Sequence, residues 1–359
     1  MTELSSPRVA FVTGATGLLG NNLVRALLAR GSSVRALVRN PDKARRQFGN
    51  LAGLTVVKGD MTDVAGFVPA LAGADVLFHT AAFFRDSYKG GRHCDELKRV
   101  NVEGTGALIA AAHAAGIRNF VHTSSVAVLN GPPGALIDET NLRDPADADD
   151  YFRSKTFAER EVLAFLDKHP DMRAVLVLPG WMWGPGDIGP TSSGQVALDV
   201  VRGKLPAIPP GSFSLVDARD VAEALIAAAD RGERGERYIA AGRHMTMQEL
   251  VPLIGRIAGV RAPSRGMPAS LLMAYAASQE AWARISGRQI LVSLASARLL
   301  VREADRSRYN HAKSERVLGV TFRPAETTIA DTLAWYRNNG WLPAGAPFPL
   351  TAKVAQRAG

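Results

Sequence analysis

Val9-Ala-Phe-Val-Thr13 runs directly into Gly14-Ala15-Thr16-Gly17-Leu18-Leu19-Gly20, and this stretch decides the fold. Five strand-forming residues meet three closely spaced glycines. Beyond them, from Asn21 to Arg30, apolar Leu23, Ala26 and Leu27 recur at helical spacing. Glycines between a strand and a helix let the backbone turn tightly and approach a pyrophosphate, which faces the amides of the helix N-terminus. One extra residue separates the first two glycines relative to the usual Gly-x-Gly-x-x-Gly spacing. A glycine triplet alone is weak; with a strand before it and a helix after it, it reads as a dinucleotide-binding loop rather than an unliganded turn.

The pattern continues outward. Ser33–Val38, Leu54–Lys58, Val76–Thr80, Asn119–Thr123 and Ala174–Leu178 read as strands, with long helices over Asp95–Ala115 and Tyr151–His169. Strands alternating with helices predict an α/β, Rossmann-type doubly wound parallel sheet. After Pro179 the alternation fades: Trp181–Pro190 is rich in Gly, Pro and Trp, Asp220–Asp230 and Leu271–Glu303 look helical, and Arg237–Ala240 looks like a strand. The expected organisation is a dinucleotide-binding Rossmann domain over 7–180, rejoined by 212–241. A smaller C-terminal substrate lobe is expected over 181–211 and 242–342, with a loosely held tail over 343–359.

The end of the second strand bears on the cofactor. It reads Ala36-Leu37-Val38-Arg39-Asn40-Pro41, with Lys43, Arg45 and Arg46 close behind and no carboxylate at the strand end. NAD sites place Asp or Glu there, whereas guanidinium groups suit a 2′-phosphate. NADP(H) is therefore expected, with NAD(H) as second choice; a merely solvated basic helix start is the bland alternative.

Tyr151 and Lys155 stand four apart on a predicted helix and project from one face. A nearby ammonium stabilises a phenolate, so such a Tyr can hand a proton to a carbonyl oxygen as hydride arrives. Tyr-x-x-x-Lys alone means nothing; with the glycine loop, and with Thr123-Ser124-Ser125 at the end of the fifth strand, it becomes specific. Ser125, the last of those hydroxyls, is expected to orient the substrate oxygen.

These motifs, in this order, resemble an extended short-chain dehydrogenase/reductase of the NAD-dependent epimerase/dehydratase superfamily, and within it the dihydroflavonol-reductase-like branch. The resemblance is carried by Thr13–Gly20, Gly59-Asp60-Met61, His79-Thr80-Ala81-Ala82, Val100–Thr105, Thr123–Ser125, Tyr151, Lys155, Leu178-Pro179-Gly180, Gly184-Pro185-Gly186, Val216–Ala222 and Ala330–Tyr336. It implies cofactor contacts at Thr13, Gly14, Thr16, Gly17, Leu18, Leu19, Gly20, Arg39, Asp60, Met61, Ala81, Ala82, Thr123, Tyr151, Lys155 and Pro179. It also implies that Asn101 holds the active-site helix and its proton relay, and that the helices near 96–115 and 151–169 pair two copies into a homodimer. The chain departs from many relatives at Leu178, where they carry Arg or Lys, and in the bulk of Trp181-Met182-Trp183.

Those three residues, with Phe83, Phe84, Arg85 and Tyr88, could line an apolar substrate pocket or serve as packing between lobes. His79 and His122 lack Cys or carboxylate partners at ligand spacing, so no metal is expected and both read as packed, hydrogen-bonded histidines. Asp144, Asp147, Asp149 and Asp150 read as a solvated loop before the Tyr151 helix. The single cysteine among 359 residues, Cys94, excludes an internal disulfide and fits a reducing compartment. A net charge of +9 is scattered, without the interleaved aromatics of a single-strand binder, so nucleic acid is not an expected partner. No apolar run of membrane-spanning length and no leader are seen, and a cytoplasmic location is expected. The expected activity is NADP(H)-dependent reduction of a ketone or aldehyde. A sugar-nucleotide epimerase or dehydratase with recycled cofactor is the alternative, and a non-catalytic NADP-binding sensor a third.

Overall fold

The computed structural model describes residues 8–84, 93–286 and 294–343. Ten strands occur among them: β1 Val9–Thr13, β2 Ser33–Val38, β3 Leu54–Lys58, β4 Val76–His79, β5 Asn119–Thr123, β6 Arg173–Pro179, β7 Trp181–Trp183, β8 Ser212–Asp217, β9 Arg237–Ala240 and β10 Arg243–Thr246. Seven form one sheet in the order β3-β2-β1-β4-β5-β6-β9, every neighbouring pair parallel. This is the Rossmann-like doubly wound fold that the strand–helix alternation predicts. Strand order reverses between β1 and β4, so a crevice opens at their C-terminal ends, where Thr13 pairs with His79.

Two apolar layers flank the sheet. Helices Leu18–Ala29 and Ala218–Arg231 cover one face with Leu19, Leu23, Leu27, Val221, Leu225 and Ala228. Helices Gly104–Ala114 and Asp150–Lys168 cover the other with Leu108, Ile109, Val162 and Leu166. Central strands buried on both faces read as continuous apolar runs, as β6 does.

The second lobe is built on a three-stranded sheet, β10-β8-β7. Of the stretch 212–241, β9 lies in the large sheet and the helix Ala218–Arg231 covers it, whereas β8 pairs with β7 and β10. Several elements have no clear sequence signature. The helix Pro41–Phe48 buries only Ala44 and Phe48, so it shows almost no apolar period. β7 and β10 are three and four residues long, too short for alternation to register. The lobe's core gathers Trp183, Leu198, Leu215, Met245, Leu250, Ile254, Ile329 and Tyr336 from five separate segments.

Buried charge joins the lobe to the sheet domain. Asp220 caps the chain at Arg323, accepting from its backbone N–H at 2.6 Å and from its guanidinium. Arg143, whose side chain is 2% exposed, donates to Ala127 O at 3.0 Å and to Leu129 O at 3.2 Å, and forks onto Glu303 at 3.1 and 2.7 Å. Its guanidinium also lies over the Phe152 ring at 4.7 Å. Removing one member of such a pair strands the other. Arg143→Ala is therefore expected to lower stability by about 3 kcal/mol, and Glu303→Gln, which keeps an acceptor, by clearly less. Equal urea midpoints for the two variants would contradict this assignment.

Candidate active site

The glycine loop sits at the switch point. Gly14 has φ +66, and a methyl group there would lie 2.7 Å from Ala81 N, so only glycine lets the loop rest against the end of β4. At Gly20 a methyl group would lie 2.2 Å from Gly14 O, which fixes how closely helix Leu18–Ala29 approaches the loop. That helix starts at Gly17 with no side-chain cap and no acidic residue in its first turn. Its leading amides, with Thr16 half-buried beside them, suit an anion and carry nothing that would repel one. The donor set fits a dinucleotide pyrophosphate.

Arg39 is exposed just past β2, and Asn40 caps the next helix by accepting from Asp42 and Lys43 N–H groups at 3.0 Å each. Burial, with Arg39 nearby, pulls the Lys43 ammonium below its ordinary pKa. Partial burial works against the charge of Asp60, but two hydrogen bonds from Thr62 and the nearby Arg39 and Arg99 hold its carboxyl below the usual range. Met61 is buried beside it. Two cations and one accepting carboxylate thus gather where the adenosine end of a dinucleotide would lie.

His79 organises the crevice floor. Thr105 Oγ1 donates to Asn101 O at 2.6 Å, so it can only accept from His79 Nε2, 2.9 Å away. Thr13 Oγ1 accepts from Ala81 N at 3.2 Å and is left to donate to His79 Nδ1 at 2.8 Å. The ring is therefore neutral with its proton on Nε2, and burial with Lys155 nearby pushes its pKa down to about 3. His122, one strand over and 5.4 Å ring to ring, is also buried, but neither of its ring nitrogens has a partner among the described residues. It departs from the expected hydrogen-bonded histidine because β5 places it between apolar Leu176 and His79, whose two ring nitrogens are already engaged by Thr13 and Thr105.

Asn101 lies in a π-helical turn, Lys98–Glu103, a local insertion common at functional sites. Its amide donates to Phe83 O and to Ser154 Oγ, both at 3.0 Å, and its carbonyl accepts from Phe83 N at 2.7 Å. Ser154 in turn donates to Tyr151 O at 2.8 Å. Asn101 thus ties the chain after β4 to the first turn of helix Asp150–Lys168, whose N-cap is Asp149, accepting from Phe152 N at 2.8 Å.

Tyr151 is 8% exposed and packs with Leu97, Ala127, Phe83 and Phe84, the Phe84 ring meeting it edge-on at 4.7 Å. Lys155 is buried one turn on, and its ammonium donates to Thr123 O at 2.7 Å. Burial lowers its pKa from 10.5 to about 8, partly opposed by Glu159. Glu159 accepts from Ser124 and, at 2.8 Å, from Arg237. Ser124 is thereby committed and Thr123 Oγ1 is buried without a partner among the described residues. Ser125 is half-buried, its oxygen accepting from Ala127 N at 3.1 Å and its hydroxyl proton left for another acceptor.

The expected pocket residues divide. Phe83 and Phe84 stand by Tyr151, and Trp181 and Met182 are half-buried near β6, where Pro179 is buried. Ala81 is half-buried and Ala82 exposed at the crevice. Trp183 is corrected to core: it is 1% exposed within the second lobe's apolar cluster and has no cleft surface. Arg85 and Tyr88 lie outside the described residues. Ser154, Thr105, Glu159 and Arg237 go unread in the sequence. Only Glu159 carries a usable signal there, four residues after Lys155 on the same helix face.

Residues 10–241 match the model of the NAD dependent epimerase/dehydratase family. The chain is 35% identical over 336 residues to sterol demethylase protein B of Methylococcus capsulatus, covering 92% of this chain and 99% of that one. A dihydroflavonol 4-reductase-like protein of Synechocystis sp. is 33% identical over 340 residues, covering 92% and 95%. The crystal structure of gox2253 superposes with a TM-score of 0.79 at 34% identity, covering 94% of this chain and 100% of that one. No helix among the described residues is long and apolar enough to cross a membrane. The glycine cradle, the parallel sheet and these relatives agree: the chain belongs to the NAD-dependent epimerase/dehydratase family of extended short-chain dehydrogenases/reductases, whose members are NAD(P)-dependent enzymes.

Proposed function

We propose that the protein is an NADPH-dependent reductase of a ketone or aldehyde, running reversibly as an alcohol dehydrogenase. The observation that carries this reading is the placing of Tyr151 and Lys155 one turn apart on one buried helix, Lys155 bonded to the end of β5 and Tyr151 packed against Phe83 and Phe84 just after β4. A reduced nicotinamide, when bound, supplies the hydride. Tyr151 then gives its proton to the carbonyl oxygen, Ser125 orients that oxygen through its spare hydroxyl proton, and the Lys155 ammonium stabilises the phenolate left behind. Asn101 acts through others, fixing Phe83 and the first turn of the Tyr151 helix. Phe83, Phe84, Trp181 and Met182 favour an apolar substrate, which agrees with the names of the sterol and dihydroflavonol relatives.

Arg39 and Lys43, with no carboxylate at the end of β2, support NADPH over NADH. A guanidinium–phosphate contact contributes about 1.5–3 kcal/mol. Arg39→Asp should therefore weaken NADPH binding roughly 10- to 100-fold and leave NADH nearly unchanged, as read by quenching of tryptophan fluorescence. Equal losses for both cofactors would remove Arg39 from this role.

The net charge of +9 favours a second reading, an epimerase or dehydratase of an anionic sugar nucleotide that recycles its cofactor. Dinucleotide that stays bound through purification and resists exchange would support that reading instead.

A further inference from the structure

The helices Gly104–Ala114 and Asp150–Lys168 end side by side, at the edge of the sheet where β5 and β6 begin. His113 lies in the last turn of the first, His169 is the C-cap of the second, and Asp171 follows two residues later. Candidate ligand atoms of these three side chains lie within 4.8 Å of one another. We propose that His113, His169 and Asp171 form a binding site for one borderline divalent cation of the Zn2+ type, with water as the fourth ligand.

Four observations support the assignment. His113 Nε2 already faces both carboxylate oxygens of Asp171, at 3.1 and 3.0 Å. Tetrahedral Zn2+ with bonds of about 2.0–2.2 Å spaces its ligand atoms by roughly 3.3 Å, so this pair needs no movement and the third ligand closes by about 1.5 Å at most. Both imidazoles are held by one aromatic ring: His169 stacks on Phe165 at 4.1 Å and 22°, and His113 meets it edge-on at 5.6 Å. Arg118 Nε holds Asp171 Oδ2 at 2.7 Å, an outer contact that orients the carboxylate and leaves Oδ1 for a metal. Two helix C-termini converge here, and their partial negative charge favours a cation. The guanidinium of Arg118 opposes it, so affinity on the order of micromolar is expected rather than the tighter binding of a closed structural site.

The site is remote from the chemistry. Tyr151 is the second residue of the 19-residue helix Asp150–Lys168 that His169 caps, a separation of about 27 Å at 1.5 Å per residue. A cation there would staple together the two helices that carry Asn101's neighbours and Tyr151, without touching substrate.

The test is titration of tag-free, chelator-treated protein with Zn2+ against a chromophoric competitor, alongside His113→Gln, His169→Gln, their double variant and Asp171→Asn. The expected result is one Zn2+ per chain, at least tenfold weaker binding in each variant, and a Zn2+-dependent rise in melting temperature confined to the unsubstituted chain. NADPH turnover should be the same in all, which also reports that the variants fold; the exposed Asp171→Asn is the safeguard against a folding defect at either histidine. Absence of stoichiometric binding, or binding that survives the double histidine substitution, overturns the site.

Discussion

Tyr151→Phe is expected to lower kcat by about 10³- to 10⁴-fold while leaving NADPH affinity within about twofold. The phenyl ring keeps the packing against Leu97, Ala127 and Phe84, and Asn101 and Ser154 hold the backbone of residue 151 and its turn whatever the side chain. Only the transferable proton is lost. A loss of this size in kcat with KM little changed is the signature of an interaction made in the transition state. Turnover within tenfold of the unsubstituted enzyme would remove Tyr151 from the role of acid.

Lys155→Met is expected to reduce kcat by about 10²- to 10³-fold and to abolish the alkaline limb of the pH–rate profile. In the reductive direction the ammonium must be charged, and burial brings its pKa down to about 8. Rate should therefore fall as pH rises through about 8 in the unsubstituted enzyme. The same group makes stability depend on pH. Unfolded, the lysine holds its proton up to its ordinary value of 10.5, whereas folded it releases it from about 8. Between these values the unfolded chain binds more protons, so this group makes stability rise with pH, and below pH 8 the full burial penalty is present. Urea unfolding at pH 7 and at pH 9.5 should show that rise in the unsubstituted chain and a smaller one in Lys155→Met. Identical differences in the two proteins would mean that Lys155 is not the buried cation described.

The parallel sheet was legible because its signals are local. Glycines after β1 and apolar runs at β2 to β6 mark each unit, and strict alternation with helices leaves few topologies. The helix that carries Tyr151 and Lys155 was legible for the same reason, and the two lie one turn apart on it. What escaped depends on partners distant in sequence. Asn101 was expected to hold the active-site helix, but its partners Phe83 and Ser154 were not readable; likewise Glu159 meets Arg237, and His113 meets His169 and Asp171, each through tertiary packing that no window of the sequence contains. For Trp183 the sequence left pocket and packing both open, because a bulky aromatic after β6 looks the same whether it faces a cleft or a core. Its burial within the apolar cluster over the small sheet decides for the core. Within Thr123-Ser124-Ser125 the three hydroxyls are indistinguishable as letters. Commitment of Ser124 to Glu159 separates it from Ser125.

The central claim is net hydride transfer from NADPH to a carbonyl carbon. It is tested most directly by supplying NADPH deuterated at the nicotinamide C4 with a panel of apolar ketones and aldehydes, and examining products by mass spectrometry. The account predicts stoichiometric loss of NADPH and one deuterium on the new carbinol carbon, both absent with Tyr151→Phe. Conversion of sugar nucleotides with cofactor retained, unlabelled product and no net NADPH loss would contradict it.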